Sequence, residues 1–212
     1  YLERDLRELS QVESLTDFRK VMKTLALRSG NLINQSEIAR DTGTSQPTVY
    51  RYINLLEVSF LVERLSAFAL NRTKRLIKTP KAYYIDPGLA AFLIGFYDKA
   101  SLVDSREMGS IFETLIFLHL KILSQLAIPK ASLYYWRTAT GNEVDFVFEH
   151  GRKLLAFEVK FSRNIHYRDT SNLKIFLEEY PETFLGIILY NGSSIKFLHE
   201  KIIAVPWWWI GS

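Results

Sequence analysis

The chain contains no cysteine. Disulfides, thiolate metal sites and a cysteine nucleophile are therefore excluded. A reducing, cytoplasmic setting fits that composition, and the cytoplasm is the expected location. Long apolar runs are missing as well. The longest, at 90–97 and 184–190, fall short of the ~18 residues that span a bilayer, so no membrane partner is expected. No basic, apolar, small-residue leader opens the chain. It begins at Tyr1 rather than methionine, as expected of a piece of a longer polypeptide. No glycine-rich phosphate loop occurs, so no ATP site of the Walker type is expected in this segment. The histidines, His119, His150, His166 and His199, lack ligand spacing, and none is a candidate. Internal repeats and low-complexity segments are absent too. Excess charge of one sign is slight, with 27 basic against 23 acidic residues and a net +4. That balance selects no nucleic-acid partner by itself.

What is present is ordinary for a globular chain: 48% hydrophobic and 24% charged residues over 212 positions, enough for two compact domains. The distribution of charge says more. Between Glu63 and Asp86 stand Arg64, Arg72, Lys74, Arg75, Lys78 and Lys81, with no acid among them. Such a stretch marks a phosphate-binding surface, and it reads equally well as a solvated loop.

Hydrophobic spacing predicts a helix over 2–29, with Leu15, Phe18, Val21, Met22 and Leu25 on one stripe. Two more helices are predicted within 36–56, joined by a turn at 42–45. Strands follow at 59–68 and 81–85, then an Asp86-Pro-Gly turn and a helix over 89–96. Residues 98–104 are the expected linker, which divides the chain into domains at 1–98 and 99–212. Beyond it come a helix over 106–124, strands at 132–137, 143–149 and 154–161, a helix over 169–180, and strands at 184–190, 195–198 and 202–205. The Trp207-Trp208-Trp209 run is expected to cover an apolar surface.

The first half has the pattern of a winged helix-turn-helix. Ala39 supplies the small residue at the helix approach, Gly43 the turn residue and Val49 the inner apolar position, with Ile38, Ile53 and Leu56 completing the inner face. Ser45 is placed to cap the second helix, and Pro47 stands in its first turn, where a missing N–H costs nothing. Tyr52 occupies an inner position where an aliphatic residue is commoner. If the second helix lies in a major groove, Gln46, Thr48, Tyr50, Arg51 and Asn54 face the bases and phosphates. Arg72, Lys74 and Arg75 then sit on the wing. A protein-interaction winged helix with a polar outer face satisfies the same pattern.

The second half is predicted to carry a hairpin of 143–149 and 154–161. In a strand alternate side chains share a face. Glu143 and Asp145 lie on one face of the first strand, Glu158 and Lys160 on one face of the second. Closure about Gly151–Arg152 sets Asp145 opposite Glu158. Two carboxylates across a ladder repel. A Mg²⁺ or Mn²⁺ ion held by Asp145 and Glu158 relieves that repulsion, and such an ion activates water against a phosphodiester. Lys160 then holds the water or stabilises charge. Glu113, close to the apolar stripe of Phe112, Leu115, Ile116 and His119, is a further metal-side carboxylate. An acid–base ladder on a solvated sheet face, with an exposed helical acid at 113, is the simpler alternative.

These pieces occur in order: Tyr1-Leu-Glu-Arg-Asp5, Tyr50-Arg51-Tyr52-Ile53-Asn54-Leu55-Leu56, Tyr83-Tyr84-Ile85-Asp86-Pro87-Gly88-Leu89, Gly109-Ser-Ile-Phe-Glu113, Tyr135-Trp136-Arg137, Glu143-Val-Asp145-Phe and Glu158-Val-Lys160. Together they resemble the C-terminal domain of unknown function of prokaryotic AAA-type P-loop ATPases, over nearly the whole chain. The resemblance implies an α+β or α/β architecture in which a winged helix precedes a restriction-endonuclease-like, PD-(D/E)xK mixed sheet flanked by helices. It implies that Glu113, Asp145, Glu158 and Lys160 occupy the active-site positions. It also implies an ATPase domain ahead of Tyr1 in the same polypeptide. The expected function is DNA binding through the winged helix, with Mg²⁺-dependent endonucleolytic cleavage. A non-catalytic DNA-binding or protein-interaction module attached to an ATPase is the alternative.

Overall fold

A computed structural model describes residues 12–71, 73, 75 and 78–211. The fold is mixed α and β, and it divides into two compact units: Tyr1–Arg64 with Thr79–Thr114, and Leu65–Lys78 with Leu115–Ser212. Among the described residues no helix is long and apolar enough to cross a membrane.

The first unit starts with α1 (Leu15–Leu27), whose N-cap Ser14 accepts from the Asp17 N–H. Residues 1–11, where the longer helix and the opening Tyr1 motif were expected, lie outside the described residues. Helix α2 (Gln35–Thr42) is capped by Asn34 and starts one position ahead of the expected Ser36. Its C-cap is Gly43 at φ +68°, a left-handed conformation that a side chain makes costly. Helix α3 (Gln46–Val58) is capped by Ser45, which accepts from the Thr48 N–H, and Pro47 sits in its first turn. Phe18, Val21, Met22 and Leu25 of α1 bury against Ile38, Val49, Ile53 and Leu56. Tyr52 joins that core, its ring edge-on to Phe18 at 5.2 Å and its hydroxyl donating to the Ser14 carbonyl at 3.3 Å. An aromatic fits this inner position because its polar tip finds a partner.

Strands β1 (Val62–Leu65) and β2 (Lys81–Tyr84) form a two-stranded sheet. Helix α4 (Pro87–Leu93) follows, with Asp86 accepting from the Gly88 and Leu89 N–H groups. Residues 98–104, the expected linker, carry the short helix α5 (Lys99–Val103), capped by Asp98, whose carboxyl is held below its ordinary pKa by the Ser101 hydrogen bonds. The boundary between units falls inside α6 (Met108–Leu126), between Thr114 and Leu115. The opening turns of α6 belong to the first core: Ile111 is buried there and the Thr114 and Ser29 hydroxyls meet at 2.8 Å. Its later turns belong to the second, where Phe117 packs on Phe146.

The second unit is a six-stranded mixed sheet in the order β3-β4-β5-β6-β8-β7. Strands β3 (Ser132–Arg137), β4 (Glu143–His150) and β5 (Lys153–Lys160) run antiparallel. Strands β5, β6 (Thr183–Tyr190) and β8 (Ile202–Pro206) run parallel, and β7 (Lys196–His199) closes the edge antiparallel to β8. Parallel pairing needs a crossover. A 3₁₀ turn (Tyr167–Thr170) and α7 (Ser171–Glu179) supply it between β5 and β6. Leu173 and Phe176 of α7 bury with Trp136, Val147, Leu154, Ala156, Ile188 and Ile202. At the chain end Trp207 meets His119 edge-on at 5.9 Å, while Trp208 and Trp209 stay about half exposed.

The expected first wing strand, 59–68, is cut short. Past Leu65 the chain changes partners: Ala67 bridges Tyr135, and Phe68 donates to the Tyr135 carbonyl at 2.6 Å. Arg75 is anchored in the same place. Its guanidinium grips both Glu149 carboxylate oxygens at 2.7 and 2.9 Å and lies over the adjoining Phe68 and Tyr134 rings, 4.7 and 4.6 Å from their centroids. The Glu149 hydrogen bond raises its pKa against the opposing effect of burial. A lysine cannot reproduce this planar two-toothed grip. Arg75→Lys is therefore expected to cost roughly 1–3 kcal/mol of unfolding free energy in a urea titration, with Glu149→Gln costing a similar amount and the pair together less than the sum.

Candidate functional site

The β4–β5 hairpin pairs Phe146 with Phe157, Val147 with Ala156 and His150 with Lys153. One further step places Asp145 across from Glu158. The ladder stops before that step. Beyond it, the Asp145 carboxylate accepts from the Val159 N–H at 2.7 Å, taking the place of a backbone acceptor. In a strand the N–H and C=O of one residue point to the same side. The Val159 carbonyl therefore also points toward the β4 side, where the strands part.

Strand β5 is central and buried on both faces, so the alternative of an acid–base ladder on a solvated sheet face does not fit it. Leu154 and Ala156 share a face with Glu158 and Lys160, and that face continues the apolar layer under α7. The Glu158 side chain is only 6% exposed. A carboxylate so placed needs a partner. Lys160, two residues on and on the same face, donates to its Oε1 at 2.8 Å. Burial pulls the Lys160 pKa down, but Glu158, then Asp145 and Asp169, outweigh it and hold the ammonium above its ordinary value. The charged form is stable through the neutral range, and its contribution to stability is lost only as pH rises through the elevated value.

Asp169 was not foreseen. It is the third residue of the 3₁₀ turn after β5 and accepts from the His166 N–H at 2.8 Å. The only trace of it in the chain is an acid nine residues beyond Lys160, which no strand periodicity marks. Glu143, the other acid of the β4 face, pairs with Arg137 at 3.1 Å.

Glu113 belongs to the first unit. There it accepts from the Tyr83 hydroxyl at 2.6 Å and pairs with Lys81, itself 2% exposed, at 3.3 Å. Gly30, at φ +82°, runs against this carboxylate: a Cβ there would stand 3.1 Å from Glu113 Oε1. The helical acid expected near an apolar stripe thus has its own buried cation.

The helix-turn-helix candidates divide. Gln46, Tyr50 and Arg51 are exposed on α3, Arg51 pairing with Glu13 at 2.9 Å. Thr48 is half-buried with its hydroxyl on Ser45, and Asn54 accepts from Arg64 at 2.5 Å. Arg72 and Lys74 lie outside the described residues. Arg75 is the buried partner of Glu149, with three of its N–H groups taken by the Ala69 carbonyl and the two Glu149 carboxylate oxygens. The other described cations of that stretch are engaged too, Arg64 with Glu57, Lys78 with the Arg137 carbonyl and Lys81 with Glu113. A charge run read as a surface is in large part a set of internal partners.

Comparison with known proteins divides the chain in a similar way. Residues 1–100 match the model of a domain of unknown function, DUF8612, and residues 108–210 match that of another, DUF4143. An uncharacterized protein of Mycobacterium tuberculosis is 30% identical over 206 residues, 97% of this chain and 45% of its own length. One of Mycobacterium bovis aligns with the same figures. An uncharacterized protein of Haemophilus influenzae is 25% identical over 209 residues, 48% of its own length. The chain thus spans about half the length of the curated relatives it matches.

The Glu113 pair generates a test of role. Removing one partner of a buried ion pair costs about 3–5 kcal/mol, while replacing both with apolar groups is often neutral. Lys81→Met should lower the thermal midpoint of unfolding strongly, and Lys81→Met with Glu113→Leu should recover most of the loss in the same melt. A recovery of that kind shows that the loss in the single variant is the stranded carboxylate, so that Glu113 and Lys81 serve each other.

Proposed function

We propose that the second unit is a PD-(D/E)xK nuclease-like module, that its Asp145–Glu158–Lys160 face hydrolyses phosphodiester bonds of DNA, and that α2 and α3 of the first unit act as a helix-turn-helix with β1 and β2 as its wing. The observation that carries this reading is the convergence of the three side chains where β4 leaves β5. A buried glutamate on a central strand costs stability, and a chemical role accounts for its presence there.

The donor set suits a hard divalent cation, Mg²⁺ or Mn²⁺. Asp145, Glu158 and the Val159 carbonyl would hold it. When bound, such an ion supplies an activated water and neutralises charge on a phosphoryl group. The chain's own residues then have separate tasks. The Val159 N–H fixes the Asp145 carboxylate. Glu158 holds Lys160 at the strand end, and the raised pKa keeps Lys160 a donor for a phosphate oxygen. Glu113 is the weakest member of the set that the resemblance implies, because leaving Lys81 and Tyr83 would strand a buried ammonium.

Gln46, Tyr50 and Arg51 form the base- and phosphate-facing side of α3 in this reading. The resemblance and the greater length of the relatives support a P-loop ATPase domain in the same polypeptide, with this chain as its C-terminal part. The engaged cations of the expected wing, and the direct Lys160–Glu158 pair, favour a second reading: a non-catalytic regulatory module attached to such an ATPase.

Calorimetric titration with Mn²⁺, run beside cleavage of plasmid, single-stranded and branched DNA, separates the two. The nuclease reading expects one metal site in the wild type that weakens in Asp145→Asn. It also expects a cleavage rate at least about 100-fold lower in Lys160→Ala with metal binding retained, since Lys160 acts on charge and not as a ligand. Equal metal binding by wild type and Asp145→Asn rules out the site. Metal binding without cleavage of any substrate assigns the module to the second reading.

A further inference from the structure

Lys160 does not end the functional stretch of β5. The segment that follows, Phe161-Ser-Arg163-Asn-Ile-His166-Tyr167-Arg168-Asp169, carries two arginines, a histidine and a tyrosine, with one acid. The acid, Asp169, is turned onto the His166 N–H. Arg163, His166, Tyr167 and Arg168 are all exposed, Tyr167 by 64%. Among the described residues neither the Arg163 nor the Arg168 guanidinium has a hydrogen-bond or ion-pair partner. This reverses the pattern at Arg64, Arg75, Lys78 and Lys81, where every cation is engaged internally. Cations left unpaired beside a satisfied acid make a patch that attracts anions.

The loop is also well fixed. The Ser162 N–H donates to the Lys160 carbonyl at 2.8 Å, and the Asn191 N–H donates to the Ser162 carbonyl at 3.0 Å. Asn164 donates to the Ser162 hydroxyl, Ile165 is buried, and Thr170 donates to the Tyr167 carbonyl at 2.7 Å. Lys174 covers one side of the Tyr167 ring at 3.7 Å from its centroid, which orients the ring and adds a further cation. Asp169 ties the loop to the site, since its charge acts on Lys160.

We propose that loop 162–168 is a binding rim for single-stranded DNA at the Asp145–Glu158–Lys160 face: Arg163 and Arg168 take successive backbone phosphates, and the Tyr167 ring stacks on an unpaired base. The proposal rests on the nuclease-like reading of that face and names its substrate. Phosphate contacts alone serve duplex and single strand alike, but an exposed ring between two cations distinguishes them, because only an unpaired base offers its π-face.

Fluorescence anisotropy in EDTA, with a labelled single-stranded oligonucleotide and the matching duplex over a range of salt, tests the rim without cleavage. Arg163→Ala with Arg168→Ala should weaken both ligands and lower the slope of log affinity against log salt by about 1.4 for the single strand. Tyr167→Ala should weaken the single strand by about fivefold or more and the duplex by less than about twofold, with Tyr167→Phe retaining most of the affinity. Each variant is checked by its thermal melt. Absence of binding by the wild type, unchanged affinity in the double arginine variant, or an equal loss on both ligands in Tyr167→Ala overturns the proposal. A Mn²⁺ cleavage assay on the same proteins separates its failure from that of the nuclease reading. Binding that depends on the loop without cleavage removes the nuclease alone; cleavage with loop-independent binding removes the rim alone.

Discussion

Strand β5 is held on both sides, antiparallel to β4 and parallel to β6, and is covered on both faces. It nevertheless ends in a carboxylate and an ammonium. Strands so enclosed are normally near-continuous apolar runs, and Leu154 to Phe157 obey that rule. Glu158 breaks it while still 4% exposed. Everything distinctive in the second unit adjusts to that residue. Lys160 neutralises it, β4 parts from β5 beside it, and the Asp145 side chain takes the backbone acceptor's place. The crossover that parallel pairing demands then begins with a turn whose Asp169 adds another negative charge near the lysine.

The first unit handles its buried charge differently. Lys81 and Glu113 close a pair with Tyr83 inside the core, and Gly30 lets the backbone approach it. The second unit does the same with Arg75 and Glu149. In both cases a cation from the acid-free stretch 64–81 is used to join elements distant in sequence. Net charge therefore says little about where an anionic partner would bind, and the unpartnered arginines beyond β5 say more.

The helix pair α2–α3 was legible because its signals are local. Gly43, Ser45 and Pro47 each act within one turn, and the inner face repeats at helical spacing; the Asn34 cap was passed over for Ser36. The hairpin register was legible for a similar reason: the Gly151–Arg152 turn and the strand lengths leave one pairing. The break at 98–104 falls where the two matched family models divide, at 1–100 and 108–210. The change of core inside α6, between Thr114 and Leu115, was not legible, because one continuous helix carries it. The internal pairing of Arg75 and Lys81 was not legible, because a cation bound for solvent and one bound for a glutamate look alike in sequence; only the partner, 32 residues away for Lys81 and 74 for Arg75, tells them apart. Asp169 was missed because its link to Lys160 is spatial.

If β5 carries Glu158 and Lys160 for chemistry, the pair costs stability that an apolar pair would not. Urea unfolding of Glu158→Leu, Lys160→Met and the double variant measures this directly. The expected result is a loss of about 2 kcal/mol in Lys160→Met, where a buried carboxylate loses its partner, and a double variant as stable as the wild type or more so. A double variant that stays about as unstable as the worse single variant would show that the pair stabilises the scaffold and would contradict the assignment of this face as a functional site.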